Sequence, residues 1–102
     1  MKQSTIKNKD LQDLYEAVLK LKSVDECKKF FRDLCTLSEL SSMTERLSVA
    51  KMIKKEIPYR DICVKTGSST ATITRVAHWF HHGEGGYKLV LDRLKGSKAS
   101  RT

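Results

Sequence analysis

Residues 59–80 constrain the fold of this chain more than any other segment, because they form the pattern of two short helices joined by a tight turn. The turn falls around Gly67, where glycine suits a chain reversal that needs a positive φ. Ile62 is apolar at the position where the first helix must pack against the second, and Cys63 is small enough to let the two helices approach closely. The segment therefore predicts a helix-turn-helix unit.

The second helix of this unit has two distinct faces. Ile73, Val76 and Phe80 recur at spacings of three and four residues, which predicts one buried apolar stripe. Ser69 or Thr70 can cap the helix by accepting from its first backbone N–H groups. Short or polar side chains that let a backbone approach base edges occupy the other face: Ala71, Thr72, Thr74, Arg75 and His78.

That polar face favours DNA binding over an ordinary helical hairpin with a solvated surface. Threonine is a mediocre helix former, so four threonines between Thr66 and Thr74 are hard to justify by stability alone. Arg75 can donate two parallel hydrogen bonds to a guanine or grip a phosphate, and Lys65 is placed to contact phosphate. Ser68 joins the hydroxyl residues that open the second helix and is a further candidate contact.

The charge balance supports a polyanionic partner. Lysine and arginine number 20 against 12 acidic residues, giving a net charge of +8 and a sequence pI near 9.6. Each phosphate neutralised by a cation releases a condensed counterion, so DNA or RNA suits this balance, although an acidic membrane surface would suit it too. At 102 residues the chain is expected to form one domain, near the size at which a partner helps stability.

Strong helical periodicity, one proline and five glycines predict an all-α protein of about six helices. Pro58 ends the third helix, and the glycine-rich run 81–86 ends the fifth. No run approaches the roughly 18 apolar residues of a spanning helix. The expected order is a flexible arm (1–8), a helical domain (9–95) with helices at 9–22, 24–35, 37–56, 59–66, 68–80 and 87–95, and a disordered basic tail (96–102).

The first two helices predict a homodimer. The first has six apolar positions in about fourteen residues, and the helix-turn-helix offers little surface to cover them. A second copy of the chain is the simplest cover, and a self-contained six-helix monomer is the alternative. The three cysteines have no CxxC pair and are expected to be small buried thiols in a reducing cytoplasm: Cys27, Cys35 and Cys63.

Other side-chain sets predict no cofactor and no catalysis. His78 and His82 are four residues apart, but histidines at a helix C-terminus also suit the helix dipole without any metal. The run HGEGG follows a helix rather than a strand and lacks the Lys-Ser/Thr pair of a phosphate loop. No Ser/His/Asp set or paired carboxylates have an interpretable spacing, so we do not expect an enzyme.

The string ATITR at 71–75, preceded by Gly67, resembles the signature of the Trp repressor superfamily. The flanks CTLSEL (35–40), ERLSVAKMI (45–53) and HHGEGGYKLVLDRL (81–94) resemble its Trp-repressor-like YerC/YecD-type subfamily. The resemblance implies a bacterial, nucleoid-associated protein in which two subunits interlock through their N-terminal helices. It also implies DNA contacts at Arg60, Ser69, Thr70, Ala71, Thr72, Thr74 and Arg75.

The residues that form the corepressor pocket of that family are only partly matched in this chain. Tryptophan-binding members clamp the amino acid with two arginines, of which the second matches Arg75 and the first falls on Glu45, with Arg46 one residue away. A shift of one position along a helix rotates a side chain by about 100° around the helix axis, so the side chain points in another direction. Trp79 stands where those members have a small residue, so its indole is expected to fill or close the pocket. Tryptophan is therefore not the expected corepressor.

The sequence thus predicts a homodimeric DNA-binding transcriptional regulator, acting as a repressor on a palindromic operator. Two alternatives stay open. The helix pair can bind an acidic protein partner, or the chain can bind nucleoid DNA or RNA with little sequence preference.

Overall fold

The computed structural model describes residues 6–101, and their side chains as far as Lys95. This part of the chain contains helices and no strand, which confirms the predicted all-α class. The six helices are α1 (Asn8–Leu19), α2 (Val24–Leu34), α3 (Leu37–Lys54), α4 (Tyr59–Thr66), α5 (Thr70–His82) and α6 (Gly86–Arg101).

Side-chain caps fix where α2 and α3 begin. The Ser23 hydroxyl accepts from the Glu26 N–H at 3.1 Å, and the Glu26 carboxylate accepts in return from the Lys22 N–H at 2.9 Å. At α3, Thr36 and Glu39 exchange the same two bonds at 3.0 and 2.8 Å. Each pair satisfies two backbone donors that a helix start would otherwise leave unpaired.

The chain divides into two compact units, and the boundary falls after Leu40, inside α3. In the first unit, none of residues 6–40 is buried. Its packing includes the Phe30 and Phe31 rings, which meet edge to face at 5.7 Å. Several large apolar side chains of this unit are exposed to solvent: Leu14, Tyr15, Leu19, Val24, Leu34 and Leu37.

The second unit holds the hydrophobic core. Ile62 from α4 and Ile73 from α5 are completely buried and lie at its centre. Half-buried side chains of Leu47, Met52 and Cys63 pack around it. Helices α3, α5 and α6 supply the remaining buried residues: Val49, Ala50, Ile53, Val76, Ala77, Phe80 and Leu91.

An ion pair joins α3 to α6 at the edge of this core. The Lys54 ammonium donates a hydrogen bond to the Asp92 carboxylate. That bond, and the positive charge that makes it, lower the pKa of Asp92 below its ordinary value. Because Asp92 is exposed, water screens most of the attraction, and the pair contributes little to stability.

Several helix boundaries differ from those predicted. Helix α1 ends at Leu19 rather than Lys22, and α5 includes His81 and His82, so the break begins only at Gly83. The sequence predicted that α6 would end at Lys95, but the helix continues to Arg101, because lysine, alanine and arginine favour helix and Gly96 alone costs only about 1 kcal/mol. Of the predicted arm 1–8 and tail 96–102, residues 1–5 and 102 lie outside the described residues.

Candidate nucleic-acid interface

The turn between α4 and α5 has the geometry that the sequence predicted. Gly67 lies in the left-handed region with φ 74°, and its N–H donates to the Cys63 carbonyl at 2.9 Å to end α4. The Thr66 hydroxyl donates to the Ile62 carbonyl at 2.7 Å and accepts from the Ser68 N–H at 3.1 Å. These bonds satisfy the backbone N–H groups of Gly67 and Ser68 within the turn and the end of α4.

Ser69 begins α5 as its N-cap. Its hydroxyl accepts from the Thr72 N–H at 3.1 Å and donates to the Thr72 hydroxyl at 3.1 Å. The first turn of α5 carries no acidic residue, so the positive end of its helix dipole is not neutralised from within the helix. A helix start of this kind favours a phosphate nearby.

The two sides of α5 differ in burial as the sequence predicted. Ile73 and Val76 are buried, and Phe80 is only 8 % exposed, so this stripe is the core side of the helix. On the other side Ala71, Thr74 and Arg75 are exposed, and Thr72 is half-buried. The remaining predicted contacts on α4 and at the turn are also exposed: Arg60, Lys65, Ser69 and Thr70.

Ser68 departs from its predicted role. Its side chain is 5 % exposed, and its hydroxyl donates to the Glu45 carboxylate at 2.6 Å. Ser68 has little surface left for a nucleic acid, and its one hydroxyl hydrogen, which a phosphate would need, is already donated to Glu45. Sequence patterns carried no signal for the bond, because 23 residues separate its two partners.

A groove of about 380 Å³ lies between α3 and the turn. Of the predicted ligand-pocket residues, its described lining includes Glu45 and not Arg46, Arg75 or Trp79. The structure therefore does not gather that set into one site. Hydroxyl and lysine side chains dominate the lining: Ser41, Thr44, Ser48, Lys65 and Thr66, with Met52 and Gly67.

Trp79 is exposed in the single chain, where the sequence suggested an indole that fills or closes a pocket. Its side chain is 55 % exposed, and its ring meets the His78 ring edge to face at 5.3 Å. Gly83 lies directly against it, since a Cβ there would come within 2.4 Å of the Trp79 carbonyl oxygen. Trp79 faces solvent because the core stripe at that level of α5 is formed by Val76 and Phe80.

The described residues provide neither a metal-ion site nor a membrane-spanning helix. The His78 and His82 rings lie 5.4 Å apart, but no three His, Cys, Asp or Glu side chains are grouped to hold a metal ion among these residues. In the same part of the chain, no helix is both long and apolar enough to cross a membrane.

Gly67→Ala should destabilise the protein by roughly 1–2 kcal/mol, the usual cost of a left-handed conformation for an L-residue. The space around Gly67 is open, so backbone strain alone carries the effect. Thermal or urea unfolding measures it. Gly86→Ala is the matched control, because that position is open too and carries no positive φ; it should be neutral or slightly stabilising. Equal effects of the two substitutions would contradict the strained turn.

An all-α chain with a capped helix, a left-handed turn and an exposed polar face on the second helix of the pair is a helix-turn-helix protein. The Trp repressor protein family model matches residues 9–95 of this chain. YerC, an uncharacterized protein of Bacillus subtilis (strain 168), is 42% identical over 90 residues, which are 88% of this chain and 86% of YerC. The chain therefore belongs to the Trp repressor family.

Two solved structures have the same fold. A TrpR-like protein from Eubacterium eligens ATCC 27750 is similar with a TM-score of 0.83 and 44% identity, covering 87% of this chain and 92% of that one. A candidate Trp repressor from Staphylococcus aureus matches with a TM-score of 0.83 and 43% identity, over 87% and 89% of the two chains. Members of this family are DNA-binding regulators rather than enzymes, and we assign this chain to that class.

Proposed function

We propose that this protein is a sequence-specific transcriptional repressor that binds a palindromic operator as a homodimer. The observation that carries the proposal is the exposed side of α5. Thr74 and Arg75 lie on this side, beyond the capped start of the helix, and the opposite side of the helix is fixed in the core. In a helix-turn-helix, the N-terminal part of the second helix enters the major groove. We call α5 the recognition helix from here on.

The candidate contact residues divide by chemistry into two sets. Short side chains and a guanidinium suit base edges, because they allow close approach and bidentate bonding to guanine. Cations and helix-start hydroxyls suit phosphates, which position the protein without reading sequence. The proposed base contacts are Ala71, Thr72, Thr74 and Arg75, and the proposed phosphate contacts are Arg60, Lys65, Ser69 and Thr70.

The first unit of the chain supports the homodimer. None of residues 6–40 is buried, yet α1 and α2 carry large exposed apolar side chains such as Leu19 at 81 % and Val24 at 86 %. Several large apolar side chains left exposed on two helices favour an interaction site there. A second copy, contributing the same two helices, would bury these side chains on both protomers.

Sedimentation at micromolar concentration tests the assembly. We expect one species of twice the 11.6 kDa chain mass, because the apolar side chains of α1 and α2 need a partner surface. Leu19→Lys should shift the equilibrium toward monomer, since burying an unpaired ammonium is costly. Lys20→Ala, at the neighbouring exposed position, is the control and should leave the mass unchanged. A folded wild-type monomer would contradict the dimer.

Salt dependence distinguishes the proposed function from its alternatives. Any basic protein loses affinity for DNA steeply as salt rises, but only a sequence-specific regulator keeps a large preference for one site over random duplex. Fluorescence anisotropy with both duplexes, titrated at several salt concentrations, measures the two properties separately. Equal affinity for all duplexes would favour a non-specific nucleoid protein, and no affinity for DNA would favour an acidic protein partner.

L-Tryptophan should not act as a corepressor. The position at which tryptophan-binding relatives have an arginine is Glu45, whose carboxylate would repel the carboxylate of an amino acid. Glu45 is in addition hydrogen-bonded to Ser68. A ligand that binds only the folded state raises the melting temperature by mass action, so millimolar L-tryptophan should leave it unchanged. Saturable binding by calorimetry with a micromolar Kd would contradict this expectation.

A further inference from the structure

The bond between Ser68 and Glu45 ties the helix-turn-helix turn to the core helix α3. Ser68 is buried, at 5 % exposure, and its hydroxyl lies 2.6 Å from the Glu45 carboxylate. The acceptor is ionisable, and hydrogen bonds to carboxylates are about twice as strong as those between neutral groups. The bond therefore restrains the turn more firmly than an ordinary surface contact.

The other side-chain bonds of the turn act within the motif itself. Thr66 bonds to the Ile62 carbonyl and the Ser68 N–H, which ties the turn to α4. Ser69 bonds to Thr72, which ties the turn to α5. Among the described side chains, the Ser68–Glu45 bond alone connects the turn to an element outside the motif. Its position, one residue before the N-cap of α5, lets it set the direction in which the recognition helix starts.

We infer that Glu45 is a positioning residue for DNA recognition, holding Ser68 so that the recognition helix keeps its DNA-binding orientation. The inference rests on the proposed function. Ile73 and Val76 hold the core side of α5, and the side chains of residues 68–72 form hydrogen bonds in the local cap at Ser69 and in the bond from Ser68 to Glu45. Recognition side chains must be held within roughly 0.5 Å of their productive positions, and preorganisation of that kind raises affinity by removing an ordering cost.

Four variants test the inference: Glu45→Gln, Glu45→Ala, Ser68→Ala and the double variant Glu45→Ala with Ser68→Ala. Their affinities are measured by anisotropy on a duplex enriched from a randomised library and on random duplex. Glu45→Gln keeps an oxygen that accepts from Ser68, so it should bind like the wild type. Glu45→Ala and Ser68→Ala should each lose roughly tenfold on the enriched duplex, equivalent to about 1.4 kcal/mol. The double variant should lose no more than either single one, because the same bond is removed once.

The alternative, that Glu45 acts only by repelling phosphates, predicts the opposite pattern. Both Glu45→Gln and Glu45→Ala would then bind all DNA more tightly, and Ser68→Ala, which changes no charge, would bind like the wild type. That pattern would overturn the inference, as would additive losses in the double variant. The melting temperature of each variant is measured in parallel, because a variant that is partly unfolded would also lose affinity. Glu45→Gln should keep the melting temperature of the wild type.

Amide hydrogen exchange keeps this inference distinguishable from the proposed function. Glu45→Ala should speed exchange at least about tenfold at residues 67–72 and leave the core amides of Ile62 and Ile73 unchanged, because the bond restrains the turn and not the core. If no duplex is preferred but the exchange rises as expected, the proposed function fails and Glu45 still positions the turn. Unchanged exchange at 67–72 overturns the inference whatever the DNA result.

Discussion

Replacing Ile73 with alanine should lower the free energy of unfolding by about 2–5 kcal/mol, the range for truncating a fully buried isoleucine. Ile73 has no exposed surface and lies in the core with Ile62, also fully buried, and Val76. The substitution removes three carbons and leaves a cavity that the surrounding helices can close only in part. Urea unfolding at one fixed protein concentration measures the loss, since the stability of a dimer depends on concentration.

Val64→Ala provides the comparison. Val64 belongs to α4 but is 80 % exposed, so its truncation should change the free energy of unfolding by no more than about 0.5 kcal/mol. Trp79→Ser should likewise have a small effect, since the indole is 55 % exposed. A loss for Ile73→Ala no larger than that for Val64→Ala would contradict the assignment of the two sides of α5.

Arg75→Ala should weaken binding to the preferred operator by roughly 1–3 kcal/mol, the usual value of a bidentate contact to guanine. Arg75 is exposed on the recognition helix, one turn beyond the capped start. If it contacts a base, the loss should be much greater on the preferred site than on random duplex. Because the side chain is exposed, the melting temperature should stay close to that of the wild type.

Lys65→Ala is the matched control, since it removes one exposed cation near the end of α4. As a phosphate contact, it should weaken binding to all duplexes about equally and reduce the salt slope by about one. Equal losses on preferred and random DNA for Arg75→Ala would show that this side chain also contacts only phosphate. The base contacts would then rest on Thr72, Thr74 and Ala71.

The parts of the fold that the sequence predicts are those set by local interactions. The left-handed turn follows from Gly67, and the caps follow from Ser23 and Ser69, because each partner lies within three or four residues of the other. The buried stripe of α5 follows from the spacing of Ile73 and Val76. These features locate the helix-turn-helix and its exposed side without any knowledge of tertiary contacts.

The features that the sequence did not predict depend on distant contacts. Ser68 belongs to the same hydroxyl run as Ser69, and only the approach of Glu45 from α3 separates the buried residue from the exposed one. Trp79 is large and apolar, which favours burial, but its position on α5 directs it away from the core. The α6 end was predicted too early because a lone Gly96 is weak evidence for termination.

Selection from a randomised DNA library with the purified full chain tests the central claim most directly. The account predicts that the bound fraction converges on a palindrome whose half-site centres are about 10 bp apart, matching two recognition helices about 34 Å apart. It also predicts a preference of at least about 1,000-fold for that site over random duplex at physiological salt. Bound fragments that share no sequence, or no retention of DNA, would contradict it.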